Sequence, residues 1–97
     1  MVKEIRWSLR ADRDRQSIEE YWINRIKSNS YSLKLDQLFR ERVKLLAETP
    51  ELGISTQFDF VRFIIVGHYL IYYRITTNYI EIITIWDSRR DPQKFKL

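Results

Sequence analysis

Residues 58–86 read FDFVRFIIVGHYLIYYRITTNYIEIITIW. Three runs rich in Ile, Val, Phe and Tyr (Phe58–Val66, Tyr69–Thr76 and Tyr79–Trp86) are separated by Gly67-His68 and by Thr77-Asn78. β-branched and aromatic side chains suit a pleated, half-buried surface, and a two-residue break between such runs is the spacing of a tight hairpin. The stretch therefore predicts a three-stranded meander. Its apolar runs are nearly continuous at Phe63-Ile64-Ile65-Val66 and Ile82-Ile83-Thr84-Ile85-Trp86, so bulky residues fall on both faces of the sheet. One face needs a layer of helices; the other is either covered as well or displays aromatics as a binding surface.

The upstream half supplies the helices. Val2–Trp7 alternates, with Val2, Glu4 and Arg6 on one side and Lys3, Ile5 and Trp7 on the other, which predicts a short strand. Ser8 offers a helix cap. From about Asp12 to Lys27 the apolar residues Ile18, Tyr21, Trp22 and Ile26 recur at helical spacing, with Asp12 and Asp14 near the positive end of the dipole. Asn29 and Ser30 break the pattern, and Ser32 is placed to cap a second helix whose stripe is Leu35, Leu38, Phe39, Arg42, Leu45 and Leu46. Thr49-Pro50 stops it. Two amphipathic helices joined so closely form an antiparallel pair that needs a sheet to cover its apolar faces. The fold class is α+β, in the order β-α-α-β-β-β: an antiparallel sheet with a packed helical hairpin, the first strand joining at an edge or between the others.

A chain of 97 residues suits a single domain over residues 1–97, and fourteen aromatics (three Trp, six Tyr, five Phe) supply a core without staples. The absence of cysteine excludes a disulfide framework and a thiolate metal site, and the lone His68 cannot make a zinc centre, so no metal and no cofactor is expected. The opening Met1-Val2-Lys3-Glu4-Ile5-Arg6 interleaves charge with apolar residues and is no secretory signal, and no apolar run approaches membrane-spanning length. A cytoplasmic protein without membrane contact is expected. The formal charge of +4 points mildly to an anionic partner, RNA, DNA or an acidic protein. Residues 88–97 concentrate it, with Arg89, Arg90, Lys94 and Lys96 against Asp91 alone.

Enzyme motifs are absent: there is no Gly-rich phosphate loop, no serine elbow, no HExxH and no cysteine nucleophile. What remains is arginine and tyrosine on a sheet, namely Arg62, Tyr69, Tyr73, Arg74, Arg89 and Arg90. Guanidinium groups grip phosphates bidentately and tyrosine faces stack on bases, so such a surface can hold RNA. Each residue also has a plain alternative. Arg62 and Arg74 can pair with Asp59, Glu81 or Asp87 across the sheet; Tyr69, Tyr72 and Tyr73 can be packing; His68 can be a solvated turn residue. Arg89 and Arg90 can be a solvated tail, yet they follow the last strand directly and set two fixed positive charges at a sheet end.

Several segments, in order and spanning nearly the whole chain, resemble RelE/ParE toxins of type II toxin–antitoxin systems, closer to the ParE-like branch. Ile5-Arg6-Trp7-Ser8, with the alanine and acidic residues after it and then Ile18 through Ile23, resembles the family's first strand and helix. Leu46-Ala47-Glu48-Thr49-Pro50-Glu51-Leu52-Gly53 resembles the end of its second helix. Arg62, Gly67, Tyr69, Ile71 and Tyr73 match its central hairpin, and Ile85-Trp86-Asp87-Ser88-Arg89-Arg90-Asp91-Pro92 its closing strand and arginine tail. The resemblance implies two activities on one fold, ribosome-dependent mRNA cleavage in RelE-like members and DNA gyrase inhibition in ParE-like ones. It also implies an antitoxin partner and toxin–antitoxin hetero-oligomers.

RelE-like members commonly have an arginine after the hairpin tyrosine, where this chain has Leu70, and Phe95 stands where a tyrosine or histidine could supply a proton. Those departures favour gyrase, with Arg62, Arg89, Arg90, Lys94 and Lys96 as target-binding residues. The alternative nuclease would use Arg62, Tyr69, Tyr73, Arg89 and Arg90 as its catalytic candidates. A third alternative is a non-toxic basic module that binds nucleic acid or protein.

Overall fold

The computed structural model describes residues 2–97. A first strand, β1 (Glu4–Trp7), leads through Ser8 into α1 (Leu9–Ile26) and α2 (Ser30–Glu48), and the helices are followed by β2 (Ile54–Ser55), β3 (Val61–Val66), β4 (Tyr69–Ile75) and β5 (Tyr79–Asp87). Single 3₁₀ turns lie at Pro50–Leu52 and Pro92–Lys94. The sheet order is β1-β5-β4-β3-β2. The meander is antiparallel as the sequence predicts, and β1 joins at the edge, parallel to β5, which makes the whole sheet mixed. A parallel edge follows from the chain path: the helical hairpin brings the chain back across the sheet before the meander starts.

Ser8 caps α1 as expected, its Oγ accepting from the Ala11 amide at 3.0 Å, but the helix starts at Leu9, before Asp12. Ser32 does not cap α2. Asn29 occupies that position without a side-chain bond, and Ser32, buried inside the helix, donates to the Asn29 carbonyl at 2.9 Å. The stripe of α2 is turned relative to the sequence reading: Ser32, Leu35, Phe39, Val43, Leu46 and Ala47 are buried, whereas Leu45 is exposed. Phe58 to Phe60 is a turn rather than strand, with Phe60 at φ 64° and the Thr56 hydroxyl accepting from the Phe58 amide. Gly67 takes the left-handed conformation its tight hairpin requires, at φ 62°.

The core lies between the helices and one sheet face. Phe39, Val43 and Leu46 pack on Tyr69, Ile71, Tyr73, Ile80 and Ile82. On the opposite face, Phe63 and Tyr72 face each other across β3 and β4, and Leu70 pairs with Trp86. The chain's own C-terminal tail covers this face: Phe95 sits 4.6 Å from the Tyr72 ring and 5.0 Å from Trp86, centroid to centroid. Replacing Phe95 with alanine is expected to cost about 1–3 kcal/mol, less than for a fully buried phenylalanine because Phe95 is only half-buried. A urea titration of the variant checks this.

A bulge breaks the β4–β5 register: Tyr72 pairs with Thr84 but Tyr73 with Ile82, leaving Ile83 without an opposite residue. The stranded backbone groups are met from α1. Ser8 Oγ donates to the Ile83 carbonyl at 2.7 Å, and the Asp14 carboxylate accepts from the Ile85 amide at 3.1 Å and from the Thr84 hydroxyl. Asp14→Ala would leave the buried Thr84 hydroxyl and a strand amide without their acceptor; a loss of about 2–3 kcal/mol is expected in chemical denaturation.

Between the helices, Asp36 accepts from Arg40 Nε at 2.8 Å, while Arg15 Nε lies 3.6 Å from its other oxygen. Burial, the largest single influence, disfavours the Asp36 charge, but Arg40, Glu19 and Arg15 together outweigh it and hold the carboxyl below its usual range. Glu19 beside it is pushed up, first by burial and then by Asp36. A raised carboxyl titrates in the sense opposite to the usual one: its stabilising, protonated form is complete below the unfolded glutamate pKa and is lost as pH rises through the folded one. Glu19→Gln is therefore expected to raise the melting temperature at neutral pH, with the gain vanishing below about pH 4. Thermal melts across that range check it.

Candidate functional site

The last turn of β5 builds a basic corner. Ser88 donates its amide to the His68 carbonyl at 2.8 Å, which ties the end of β5 to the β3–β4 hairpin, and Arg90 donates its amide to the Asp87 carbonyl at 3.0 Å. The Asp87 carboxylate accepts the Arg89 amide at 2.9 Å, Nε at 3.0 Å and Nη2 at 2.8 Å, so the guanidinium is held in a two-point fork. That fork, against a smaller opposing effect of burial, keeps Asp87 below the usual carboxylate range and Arg89 above the usual guanidinium range. Arg90 stacks on the Trp86 ring, its guanidinium carbon 4.5 Å from the centroid.

Behind the corner, between α1 and the ends of β4 and β5, opens a cleft of about 590 Å³. Ile18, Tyr21, Tyr69 and Ile85 give it apolar walls; Asp14, Ser17 and Asp87 contribute oxygens, and Arg89 and Arg90 form the rim. Tyr69 is buried, edge-on to Phe39, and its hydroxyl accepts from Trp22 Nε1 at 2.8 Å. Burial raises the Tyr69 phenol above its usual range, so it stays protonated at neutral pH. Trp22 also packs edge-on to Tyr21 and Tyr31, which puts an aromatic cluster on the helical side of the cleft.

Of the residues singled out from sequence, Tyr69, Arg89 and Arg90 meet here. Arg62 and Tyr73 do not. Tyr73 is fully buried; its hydroxyl donates to the Pro50 carbonyl at 2.6 Å and accepts from the Gly53 amide at 2.9 Å, while Arg62 Nη1 donates to the Gly53 carbonyl at 2.8 Å. Both lie toward the far end of β3 and β4, with their polar atoms turned to the Pro50–Gly53 loop. Arg74 pairs with Glu81 at 3.3 Å, one of the cross-strand partners open to it from sequence. Lys94 and Lys96 are exposed on the tail, which Phe95 holds to the sheet and Arg10 ties through the Lys96 carbonyl. His68 is an exposed turn residue.

Asp14, Ser17, Ile18 and Tyr21 line the cleft without belonging to the arginine and tyrosine set that the sequence points to. Their spacing along α1 carried a usable signal: positions 14, 18 and 21 share one helical stripe, and an acid leading an apolar stripe asks for a buried partner. Among the described residues, no group of three His, Cys, Asp or Glu is arranged to hold a metal ion, and no helix is long and apolar enough to cross a membrane.

Residues 5–92 match the sequence profile of a family described as the ParE toxin of the type II toxin–antitoxin system parDE. No curated protein matches the chain. Among solved structures, a chain of the chromosomal ParDE toxin–antitoxin system from P. aeruginosa is similar, with 22% identity, a TM-score of 0.75, and coverage of 87% of this chain and 94% of that one. That likeness shows the fold, β-α-α followed by the β-meander, while the profile match spans all the elements from β1 to the arginine corner. The chain thus belongs to the ParE family, the toxin component of type II toxin–antitoxin systems.

Proposed function

We propose that this toxin arrests growth by binding DNA gyrase, and that the contact is made by Arg89, Arg90 and the cleft they rim, with Lys94 and Lys96 as flanking charges. The observation that carries this reading is an exposed, preorganised pair of arginines beside an apolar cleft whose lining holds no histidine and whose two carboxylates are both engaged. Cleaving RNA through its own 2′-hydroxyl needs a base and an acid poised near neutral pH. Tyr73 is spent on Pro50 and Gly53, Tyr69 is held protonated, Asp14 and Asp87 are engaged, and Phe95 is a packing group. Arginine and tyrosine around an apolar centre are instead the residue types that dominate protein–protein hot spots.

A toxin of this family has a cognate antitoxin. A second groove, of about 390 Å³, fits the amphipathic, acidic segment such a partner would bring: Leu45, Leu52, Ile54 and Ile65 supply apolar contacts, and Arg42 a charge. The reading is tested by inducing the toxin in a bacterial host without antitoxin while mapping transcript ends and following growth. Arrest with intact transcripts is expected. Cleavage inside reading frames would establish an mRNA endoribonuclease acting with the ribosome, and undiminished growth a non-toxic module.

A further inference from the structure

The cleft behind the arginine corner has an unbalanced set of polar groups. Its two acids are already committed, Asp14 to the β5 bulge and Asp87 to the Arg89 fork. Its donors are not. Tyr69 is only 4% exposed, and its hydroxyl accepts from Trp22 while its own hydrogen meets no acceptor among the described residues. The Ser17 hydroxyl, on the same lining, likewise has no partner among them, and Arg89 spends Nε and Nη2 on Asp87 but leaves Nη1 without one. An almost fully buried phenol with an unused hydrogen favours an incoming acceptor, the more so when that acceptor is charged.

We infer that the cleft is a carboxylate slot, which takes an aspartate or glutamate side chain from an acidic segment of the toxin's protein target. The carboxylate accepts from the Tyr69 hydroxyl and Ser17 at the cleft wall and faces the Arg89 guanidinium, which lies over the Trp22 ring at 6.0 Å, with an aliphatic neighbour of the acid against Ile18, Ile85 and Tyr21. This deepens the gyrase reading and rests on it, since it names the chemistry of the contact at the same site. A protein carboxylate fits better than a nucleic-acid phosphate for two reasons. The walls are largely apolar, which suits an aliphatic side chain beside the acid. The cations of the cleft are confined to one rim, whereas a nucleic-acid strand is held by charges spaced along its backbone.

The Trp22 indole N–H, bonded to the Tyr69 hydroxyl, is a built-in reporter. Its ¹H–¹⁵N resonance is followed while the intact toxin is titrated with the capped peptide Leu-Glu-Leu-Glu, its Leu-Gln-Leu-Gln counterpart, inorganic phosphate and an oligothymidylate. The acidic peptide is expected to move the resonance and the glutamine peptide to leave it in place. Tyr69→Phe and, independently, the exposed Arg89→Gln should each weaken the acidic peptide roughly tenfold, as expected for loss of a hydrogen bond or ion pair to a charged group. For Tyr69→Phe, which removes the acceptor for Trp22, binding is read by calorimetry. The inference is overturned if the two peptides bind alike, if the acidic peptide fails to bind, if Arg89→Gln binds it undiminished, or if the oligothymidylate binds more tightly. Failure of the gyrase reading looks different: the acidic peptide binds as stated while supercoiling by gyrase is unaffected by the toxin.

Discussion

The double substitution Arg89→Ala, Arg90→Ala is expected to abolish growth arrest and to leave the protein folded. Both residues sit beyond the last strand, exposed, with no part in the core. The Arg89–Asp87 fork lies at the surface, where ion pairs contribute little to stability, so the thermal transition should barely move. Removing the pair deletes both rim charges of the cleft and the cation that holds Asp87 in place. That exposes an uncompensated carboxylate at the point where an acidic partner would approach. Affinity for the target should fall by roughly a hundredfold or more, as when a hot-spot centre is lost and like charges are brought together. Growth after induction, with circular dichroism on the purified variant, checks both halves; persistent arrest would remove the corner from the mechanism.

Gly53→Ala is expected to destabilise the protein strongly, although Gly53 has a backbone conformation any residue can adopt, at φ −76°. The reason is space. A Cβ at this position would lie 2.6 Å from the Tyr73 hydroxyl and 2.7 Å from the Phe63 carbonyl. Neither can yield, because Phe63 pairs with Ile54 in the sheet and the Tyr73 hydroxyl is fixed by Pro50 and by Gly53 itself. The added methyl forces a backbone shift, at about 1–3 kcal/mol for overpacking. It also breaks the buried bonds of Tyr73, at about 1–3 kcal/mol more for groups left unpaired. The two together, about 2–6 kcal/mol, are a large share of the roughly 5–15 kcal/mol of an ordinary domain. Tyr73→Phe, which keeps the ring and drops the hydroxyl, should restore part of the loss in the Gly53→Ala background; chemical denaturation of the single and double variants measures that coupling.

The meander and the helical hairpin were legible because their signals are local. Gly67-His68 and Thr77-Asn78 punctuate long β-branched runs, and Ser8 and Thr49-Pro50 bracket the helices. What escaped depends on tertiary context. β2 is two residues long and exists only because Phe63 and Arg62 offer it an edge. The bulge at Ile83 has no sequence mark, since a run of Ile and Thr reads the same with or without a register shift. The cap of α2 is not legible because Asn29, Ser30 and Ser32 are all residue types that cap helices, and Ser32 lies buried inside the helix with its hydroxyl on the Asn29 carbonyl. At the site, Arg89 and Arg90 were visible as charges past a strand end, but the cleft was not. It is made by Ile18 and Tyr21 of α1 meeting Tyr69 and Ile85 from strands some fifty residues or more away in sequence. Arg62 shows the converse: an arginine in the expected hairpin position that is occupied by the Gly53 carbonyl.

We propose that this ParE-family toxin acts on gyrase through its arginine corner. The most direct measurement is gyrase-catalysed supercoiling of relaxed plasmid DNA, with purified toxin added in increasing amounts and the Arg89→Ala, Arg90→Ala variant in parallel. Wild-type toxin is expected to inhibit supercoiling in proportion to its concentration and the variant to leave it untouched. Supercoiling that proceeds unimpaired at saturating wild-type toxin would contradict the account.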